Sequence, residues 1–365
     1  DKLASKPDNA FRYCFANISG LPISVRHEKH DQITNAIIKH EIDVLGLAEV
    51  NLNFPNLGPN QQWIHRFPKL HTNSNYSINE HSTSKARKQY GGTAYITNQA
   101  TNPKVHNSGS DPTGLGRWTW VKLTGRQGIE IRIINGYRPV RDSSNRAGTV
   151  YSQHEKYFME VDEYWEPRLA FLDDLEKEIK QWQNEGNLII LGADLNDNTW
   201  TSPEAERIEQ WGLKNALKQQ HPTLPTVATY NKNRSNKPVN GIWCSHSLDI
   251  LKAGMSGFGS PNFGYTDHRM LWIDIEIESV FGYQPPPTAP IKQVGIPLDD
   301  PIHSNRYNRA LHKERLKVNL PNQIFWLEHR AINGLFDEHD AVLYEHLIEL
   351  DDQLRDQCKS KIRKK

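Results

Sequence analysis

The sequence has little cysteine: Cys14, Cys244 and Cys358 are its only three among 365 residues. They lie far apart, form no metal-ligand spacing and cannot all pair with one another. This excludes a disulfide-stapled scaffold, and a reducing compartment is the simpler setting. Long apolar runs are also missing, so the sequence predicts no transmembrane helix and no membrane partner; nothing at the start resembles a signal peptide. An excess of charge of one sign is missing too: charged residues make up 24% of the chain but sum to only +1. That balance neither demands nor excludes nucleic acid, because local patches decide. There are no internal repeats. The chain begins at Asp1 rather than Met, and we expect it to be excised from something longer.

What the sequence does have is a series of short apolar runs that end in polar residues. The clearest is N-L-I-I-L-G-A-D-L-N-D-N at 187–198. Four consecutive apolar residues read as a strand buried on both faces. Gly192 then lets the chain turn, and Asp194 and Asn196 fall on the same side of an extended backbone. Polar groups at the C-terminal end of a buried strand are a common place for a site in an α/β protein. The run F-R-Y-C-F-A-N-I at 11–18 ends at Asn17, and the run at 41–50 ends at Glu49, with Asn51 and Asn53 beyond it. A helix is expected between them over 29–40, where Ile33, Ala36, Ile37 and His40 recur at helical spacing. Strand, helix, strand is the grammar of an α/β domain. A hairpin is expected from 118–123 and 129–137, its second strand ending in N-G-Y-R-P and so bringing Tyr137 to the same rim.

The remaining segments read more plainly. Residues 54–90 are polar and look like a long surface excursion. The loop 140–155 carries Arg141, Arg146 and His154, any of which can touch a phosphate. A helix after Pro167 carries a core stripe of Leu172, Leu175, Ile179 and Trp182. Thr201-Ser202-Pro203-Glu204 caps another helix, expected to run to about Leu217. Asp267-His268 stand just before a last strand at 269–277. A proline-rich linker is expected at 284–304. Beyond it, 305–365 reads as a basic helical extension, with Leu343, Leu347, Leu350 and Leu354 at helical spacing. Residues 1–8 read as a linker and 9–283 as the main domain.

Taken singly, each polar strand end has an ordinary structural use as a turn or cap residue. Together, Asn17, Glu49, Tyr137, Asp194, Asn196 and Asp267-His268 suit hydrolysis of a phosphodiester. Glu49 and Asp267 are oxygen ligands for a hard divalent cation, and Asp194 suits orienting or activating water. Asn17, Asn196 and Tyr137 donate hydrogen bonds without adding negative charge. His268 either donates to the phosphate or takes a proton from water. Carboxylates beside an anionic substrate repel it, so a cation is expected.

These stretches resemble the endonuclease/exonuclease/phosphatase superfamily, the deoxyribonuclease I-like proteins. The matching signatures are F-A-N-I-S-G-L at 15–21, G-L-A-E-V at 46–50, N-G-Y-R-P at 135–139, G-A-D-L-N-D at 192–197 and T-D-H at 266–268. In order and spacing they cover roughly residues 9–278. The resemblance implies a four-layered α/β sandwich, with two central β-sheets flanked by helices, and Mg²⁺-dependent phosphoester cleavage with Mn²⁺ as an alternative. It places Glu49, Asp267 and Asn17 at the metal, and Asp194, Asn196, His268, Tyr137 and residue 240 in catalysis. Asn17, Tyr137, Asn196 and Arg141 fall to the substrate. Y-G-G-T-A-Y at 90–95, G-I-W-C-S at 241–245 and the basic extension look most like endonuclease domains of non-LTR retrotransposons. That implies a DNA substrate, a reverse transcriptase domain in the parent polyprotein and a nuclear location.

The sequence departs from the family at V-N-G-I-W, 239–243. Asn240 stands where the family usually has the aspartate that orients and charges the active-site histidine, here His268. An amide still accepts a hydrogen bond but adds no charge, so a slower enzyme is expected. Two other readings fit the same residues: a small-molecule or lipid phosphoesterase of the superfamily, and a catalytically inactive nucleic-acid-binding module.

Overall fold

Along the first strand, β1 (Ala10–Asn17), Phe11, Tyr13 and Phe15 enter one core cluster while Cys14 and Ala16 enter another. The alternation shows a strand buried on both faces, which is why its sequence is nearly all apolar. This is a computed structural model. It describes residues 3–70, 73–141, 148–161, 166–223, 227–232, 237–258, 266–283, 301–317, 319–335 and 337–360.

The first half of the chain continues with α1 (Glu28–Lys39), β2 (Val44–Ala48), β3 (Ser74–Ser77), β4 (Thr93–Thr97), β5 (Val105–Ser110), β6 (Trp118–Thr124) and β7 (Glu130–Tyr137). The second half has α2 (Val150–Glu160), α3 (Pro167–Asn184), β8 (Leu188–Asp194), α4 (Pro203–Gln210), β9 (Leu213–Asn215) and α5 (Ala216–Gln220). After these come β10 (Asn240–Ser245), β11 (Ile250–Met255), β12 (Leu271–Glu276) and α6 (Ile277–Phe281).

Two six-stranded sheets form, in the orders β11-β12-β1-β2-β4-β3 and β5-β6-β7-β8-β10-β9. Among the described residues only β1 with β2 and β7 with β8 pair in parallel. The sheets face each other across a core that includes Phe11, Tyr13 and Phe15 from one and Ile131, Ile133, Ile190 and Ile242 from the other. The outer face of the first sheet is covered by Ile33, Ala36 and Ile37 of α1. Phe171, Leu172, Leu175, Ile179 and Trp182 of α3 cover the second. This is the four-layered α/β sandwich expected from the sequence.

The sheets approach so closely at one place that only glycine fits. The Tyr13 hydroxyl donates to Asn135 Oδ1 at 2.8 Å across the interface. A Cβ on Gly46 would lie 1.7 Å from that same Oδ1, and one on Gly192 would lie 2.1 Å from the Tyr13 hydroxyl. Both neighbours are fixed by the bond between them. Gly192→Ala should therefore destabilise the protein by roughly 2–3 kcal/mol through overpacking. A urea titration showing less than about 0.5 kcal/mol of change would mean that the interface can give way there.

Three stretches differ from the local expectations. The stretch after residue 54 is not a plain surface excursion: Phe54, Leu57, Trp63, Phe67 and Leu70 are buried against the first sheet. Phe54 and Trp63 sit on short 3-10 turns and the others on the irregular chain between and after them, so their spacing shows neither a helical nor a strand period. The loop 140–155 already contains the start of α2, and His154 is buried there with Nε2 against the Leu115 carbonyl, away from any phosphate. Ser202 caps α4 as expected, accepting the Ala205 N–H at 3.2 Å. That helix stops at Gln210, because Gly212 takes a left-handed turn (φ +82°) and the chain then pairs as β9.

Residues 285–365 separate from residues 1–284 as a second compact unit. It contains α7 (Pro301–Lys317), α8 (Leu320–Ile332) and α9 (Glu338–Ser360). Leu327 and Leu354 are buried in it, and Arg330 bridges Asp337 and Asp340 at 2.6 and 2.7 Å. The proline-rich stretch 284–300, Arg146, and the lysines and arginine at 361–365 lie outside the described residues. No helix among the described residues is long and apolar enough to cross a membrane.

Candidate active site

Topology brings the polar strand ends to one edge. Asn17 ends β1 and Glu49 follows β2; Tyr137 ends β7 and Asp194 ends β8. The antiparallel strand β10 enters from the same edge, so Asn240 pairs with Asp194 while Tyr137 lies on its other side. His268 stands shortly before β12, in an isolated bridge with Tyr230.

Four residues on this rim take left-handed backbone conformations without being glycine: Ser19 (φ 48°), Glu49 (φ 54°), Asn51 (φ 56°) and Asn196 (φ 49°). Such strain costs on the order of 1 kcal/mol or more per residue, and persists where surrounding bonds over-determine it. Here those bonds are visible. The Ser19 N–H donates to Asn17 Oδ1 at 2.9 Å. The Gly91 N–H donates to Asn51 Oδ1 at 2.7 Å, and Asn196 Nδ2 donates to the Arg138 carbonyl at 2.7 Å.

Asn17 is the hinge of the cluster. Its Nδ2 donates to Glu49 Oε1 at 2.9 Å and to Asp194 Oδ2 at 2.8 Å, tying the two sheets together through their carboxylates. Both amide hydrogens are then occupied, and its oxygen is taken by Ser19. Asn17 therefore positions the carboxylates and has no donor left for a substrate. Asp194 also accepts the Asn196 N–H at 2.9 Å. His268 Nδ1 lies 3.1 Å from Asn240 Oδ1, and its ring packs on Tyr230 at 4.7 Å. Asp267 is engaged elsewhere, accepting from the Ser19 hydroxyl and facing Lys232 at 3.6 Å. Arg141 is exposed and lines a cleft of about 460 Å³ together with Glu49, Asn51, Tyr90, Tyr137 and Tyr151.

Burial dominates the electrostatics. It pushes the Asp194 carboxyl up to about 6, against the pull of Asn17 and of the Asn196 N–H. Burial raises Glu49 as well, and the nearby Asp194 charge adds to it. The Tyr137 phenol is held well above its ordinary value by burial and then by the charges of Glu49 and Asp194, so it stays a donor. Burial lowers His268, partly offset by Glu49 and Asp267. Burial works against the Asp267 carboxylate too. The Ser19 hydroxyl, His268 and Lys232 outweigh it and hold that group below its usual range.

One atom each from Glu49, Asp194 and His268 lie within 4.8 Å of one another. The donor set fits a divalent cation: two carboxylates raised by burial meet with no cationic side chain bonded to either, among the described residues. Of the two residues grouped with Glu49 from the sequence, Asn17 bonds Glu49 directly, whereas Asp267 faces Ser19 and Lys232. Sequence reasoning missed Tyr230, Lys232 and Ser19. They lie in loops without periodicity, and only their long-range partners mark them.

A consequence for stability follows. Folding raises the Asp194 pKa from an ordinary 3.8 to about 6, so the folded state binds that proton more tightly. In metal-free protein, stability should fall as pH rises from about 4 to 6, by at most about 3 kcal/mol. A bound cation offsets this loss. Mn²⁺ or Mg²⁺ should therefore raise the unfolding temperature at pH 7.5 and leave it unchanged at pH 4.5, as read by a thermal melt.

The fold is that of the endonuclease/exonuclease/phosphatase proteins. Among solved structures of this fold, the catalytic domain of Xenopus laevis APE2 matches at 14% identity and a TM-score of 0.52, over 73% of this chain and 92% of its own. A 3' phosphatase from Neisseria, NExo, solved with a product DNA hairpin, matches at 14% identity and 0.51, over 73% and 99%. An endonuclease/exonuclease/phosphatase family protein from Leptotrichia buccalis matches at 16% and 0.50, over 73% and 100%. No protein-family model and no curated protein matches the sequence.

Proposed function

We propose that the chain is a divalent-metal-dependent phosphodiester hydrolase that nicks DNA. The observation that carries this reading is the convergence of Glu49, Asp194 and His268 at one edge shared by two sheets. Glu49, Asp194 and His268 would hold a divalent cation there, which would supply charge neutralisation for an anionic substrate and acidify water. Asp194, oriented by Asn17 and Asn196, is the group placed to direct that water. Tyr137 keeps its proton and is the donor for a phosphate oxygen. Arg141 offers charge to the same substrate from the adjoining cleft.

The DNA substrate is supported by the Neisseria protein of the same fold, which was solved with a DNA product. The finer reading is an endonuclease domain of a retrotransposon-type polyprotein, acting in the nucleus beside a reverse transcriptase domain. It rests on Y-G-G-T-A-Y at 90–95, G-I-W-C-S at 241–245 and the basic residues of α7. The test is nicking of supercoiled plasmid with Mg²⁺ or Mn²⁺, with EDTA, and with His268→Ala in parallel. Metal-dependent nicking that the variant loses is the expected result. Absence of nicking by this chain and by Asn240→Asp alike would overturn the reading and leave a binding module or a phosphoesterase of small substrates.

A further inference from the structure

We infer that Arg138 and Arg168 are positioning residues for this site: their buried side chains lock the turn at 194–196 against the end of β7, and so set where Asp194 and Asn196 stand beside Tyr137. The inference rests on the hydrolase reading above for the use of that turn; the fixing of the turn is measured separately from it.

All three residues of the turn are bonded to Arg138. Its N–H donates to the Asp194 carbonyl at 2.9 Å, its carbonyl accepts Asn196 Nδ2 at 2.7 Å, and its Nη1 donates to the Leu195 carbonyl at 3.4 Å. The same guanidinium reaches two helices. Nε donates to the Arg168 carbonyl in the first turn of α3 at 3.1 Å, and Nη2 to Glu204 in the first turn of α4 at 3.0 Å. Arg168 closes the arrangement one residue further out on both segments. Its Nη1 donates to the Pro139 carbonyl at 2.7 Å, and its Nη2 pairs with Asp197 Oδ2 at 3.3 Å. Residues 138–139 and 194–197 are thus zipped together where Asn196 takes its left-handed conformation, φ 49°.

Stability alone does not account for two arginines here. Arg138 and Arg168 are 2% and 7% exposed, while the carboxylates that answer them, Glu204 and Asp197, keep 22% and 33% of their side-chain surface in water. Burial, and then the Arg168 charge, hold the Arg138 guanidinium below its ordinary range despite Glu204. Buried charges of this kind gain little over apolar residues of similar volume. What apolar residues cannot supply is directed donors, and a guanidinium offers five in a rigid fork. The Arg138 fork ends on three different segments, so it fixes the distances among them. Lysine keeps the charge beside Glu204 and loses the fork.

The test compares the full chain with Arg138→Lys and Arg168→Lys. Hydrogen exchange of the Asn196 amide, whose N–H is held by Asp194 Oδ1 at 2.9 Å, reads the turn without any turnover. The expected result is exchange at least about tenfold faster in each variant, with the amides of β1 exchanging as in the unchanged chain. Nicking is then followed over a range of supercoiled plasmid concentrations with Mg²⁺ or Mn²⁺. The kcat should fall by about 10–100-fold, the scale on which a small misplacement acts, and KM should move by less than about twofold. Thermal melts establish that each variant folds, and a variant that does not leaves the other to decide. Unchanged Asn196 exchange in a folded variant overturns the inference whatever the activity. A loosened turn with kcat unchanged, or a loss confined to KM, overturns it as well and leaves the hydrolase reading standing. If the unchanged chain nicks no plasmid while the variants loosen the turn, the hydrolase reading falls and the fixing of the turn stands.

Discussion

Asp194→Asn should lower the rate of plasmid nicking by about 10³-fold, the middle of the range for removing a positioned general base. It should do so without lowering the unfolding midpoint of the metal-free protein at pH 7.5. The two halves of this expectation have one cause. Asp194 is fully buried, and burial raises its pKa to about 6. At pH 7.5 it is nevertheless ionised, at a free-energy cost of about 3 kcal/mol relative to an ordinary carboxyl. Asparagine keeps the shape and an oxygen for the Asn196 N–H, removes the charge, and with it the cost. The new amide nitrogen meets Asn17 Nδ2, now 2.8 Å from Asp194 Oδ2, and that mismatch returns part of the gain. A stability held or raised while activity collapses is the mark of a charge kept for chemistry against folding. A large drop in the unfolding midpoint would instead make Asp194 a structural tie between the sheets. Unchanged nicking would remove it from the reaction.

How far the site could be read from the sequence follows from where each residue gets its position. Buried strands such as Leu188–Asp194 and Val44–Ala48 announce themselves because both faces are covered, so the apolar run is unbroken and its polar end stands out. Asn17, Glu49, Tyr137 and Asp194 were legible for that reason. The edge strands Ser74–Ser77 and Val105–Ser110 were not. They are short, polar and half-exposed, and a pairing partner rather than composition makes them strands. The partner of each site residue was also hidden. Asn17 bonds Asp194 across 177 positions of sequence, and Ser19 bonds Asp267 across 248. Such pairs depend on how one sheet lies over the other, which no local pattern encodes. Tyr230 illustrates the same limit: nothing in its loop marks it, yet it fixes the His268 ring.

Asn240→Asp should move activity the other way, raising Mg²⁺-supported nicking at pH 7 by at least about tenfold. In the present chain Asn240 offers His268 an acceptor but no charge. Its own Nδ2 is buried without a partner among the described residues, and an orphaned donor of that kind costs about 1–3 kcal/mol. Aspartate keeps the acceptor, drops the orphan and places a negative charge 3.1 Å from Nδ1. The His268 pKa, now lowered chiefly by burial, then rises. A ring that gains a proton on Nε2 becomes a donor to a phosphate oxygen. The same substitution should therefore speed Mg²⁺-supported turnover. In a serine-protease triad the reverse change, aspartate to asparagine, costs about 10⁴ in rate; the mechanism differs, and only the direction carries over. The opposing force is the added carboxylate beside Glu49 and Asp194, which repels both until a cation is bound. The gain should consequently grow with Mg²⁺ concentration. Rates of both proteins measured from pH 6 to 8.5 decide the matter, with the His268 ring followed by NMR. A ring pKa that rises without any gain in rate would show that the charge on His268 does not limit this enzyme.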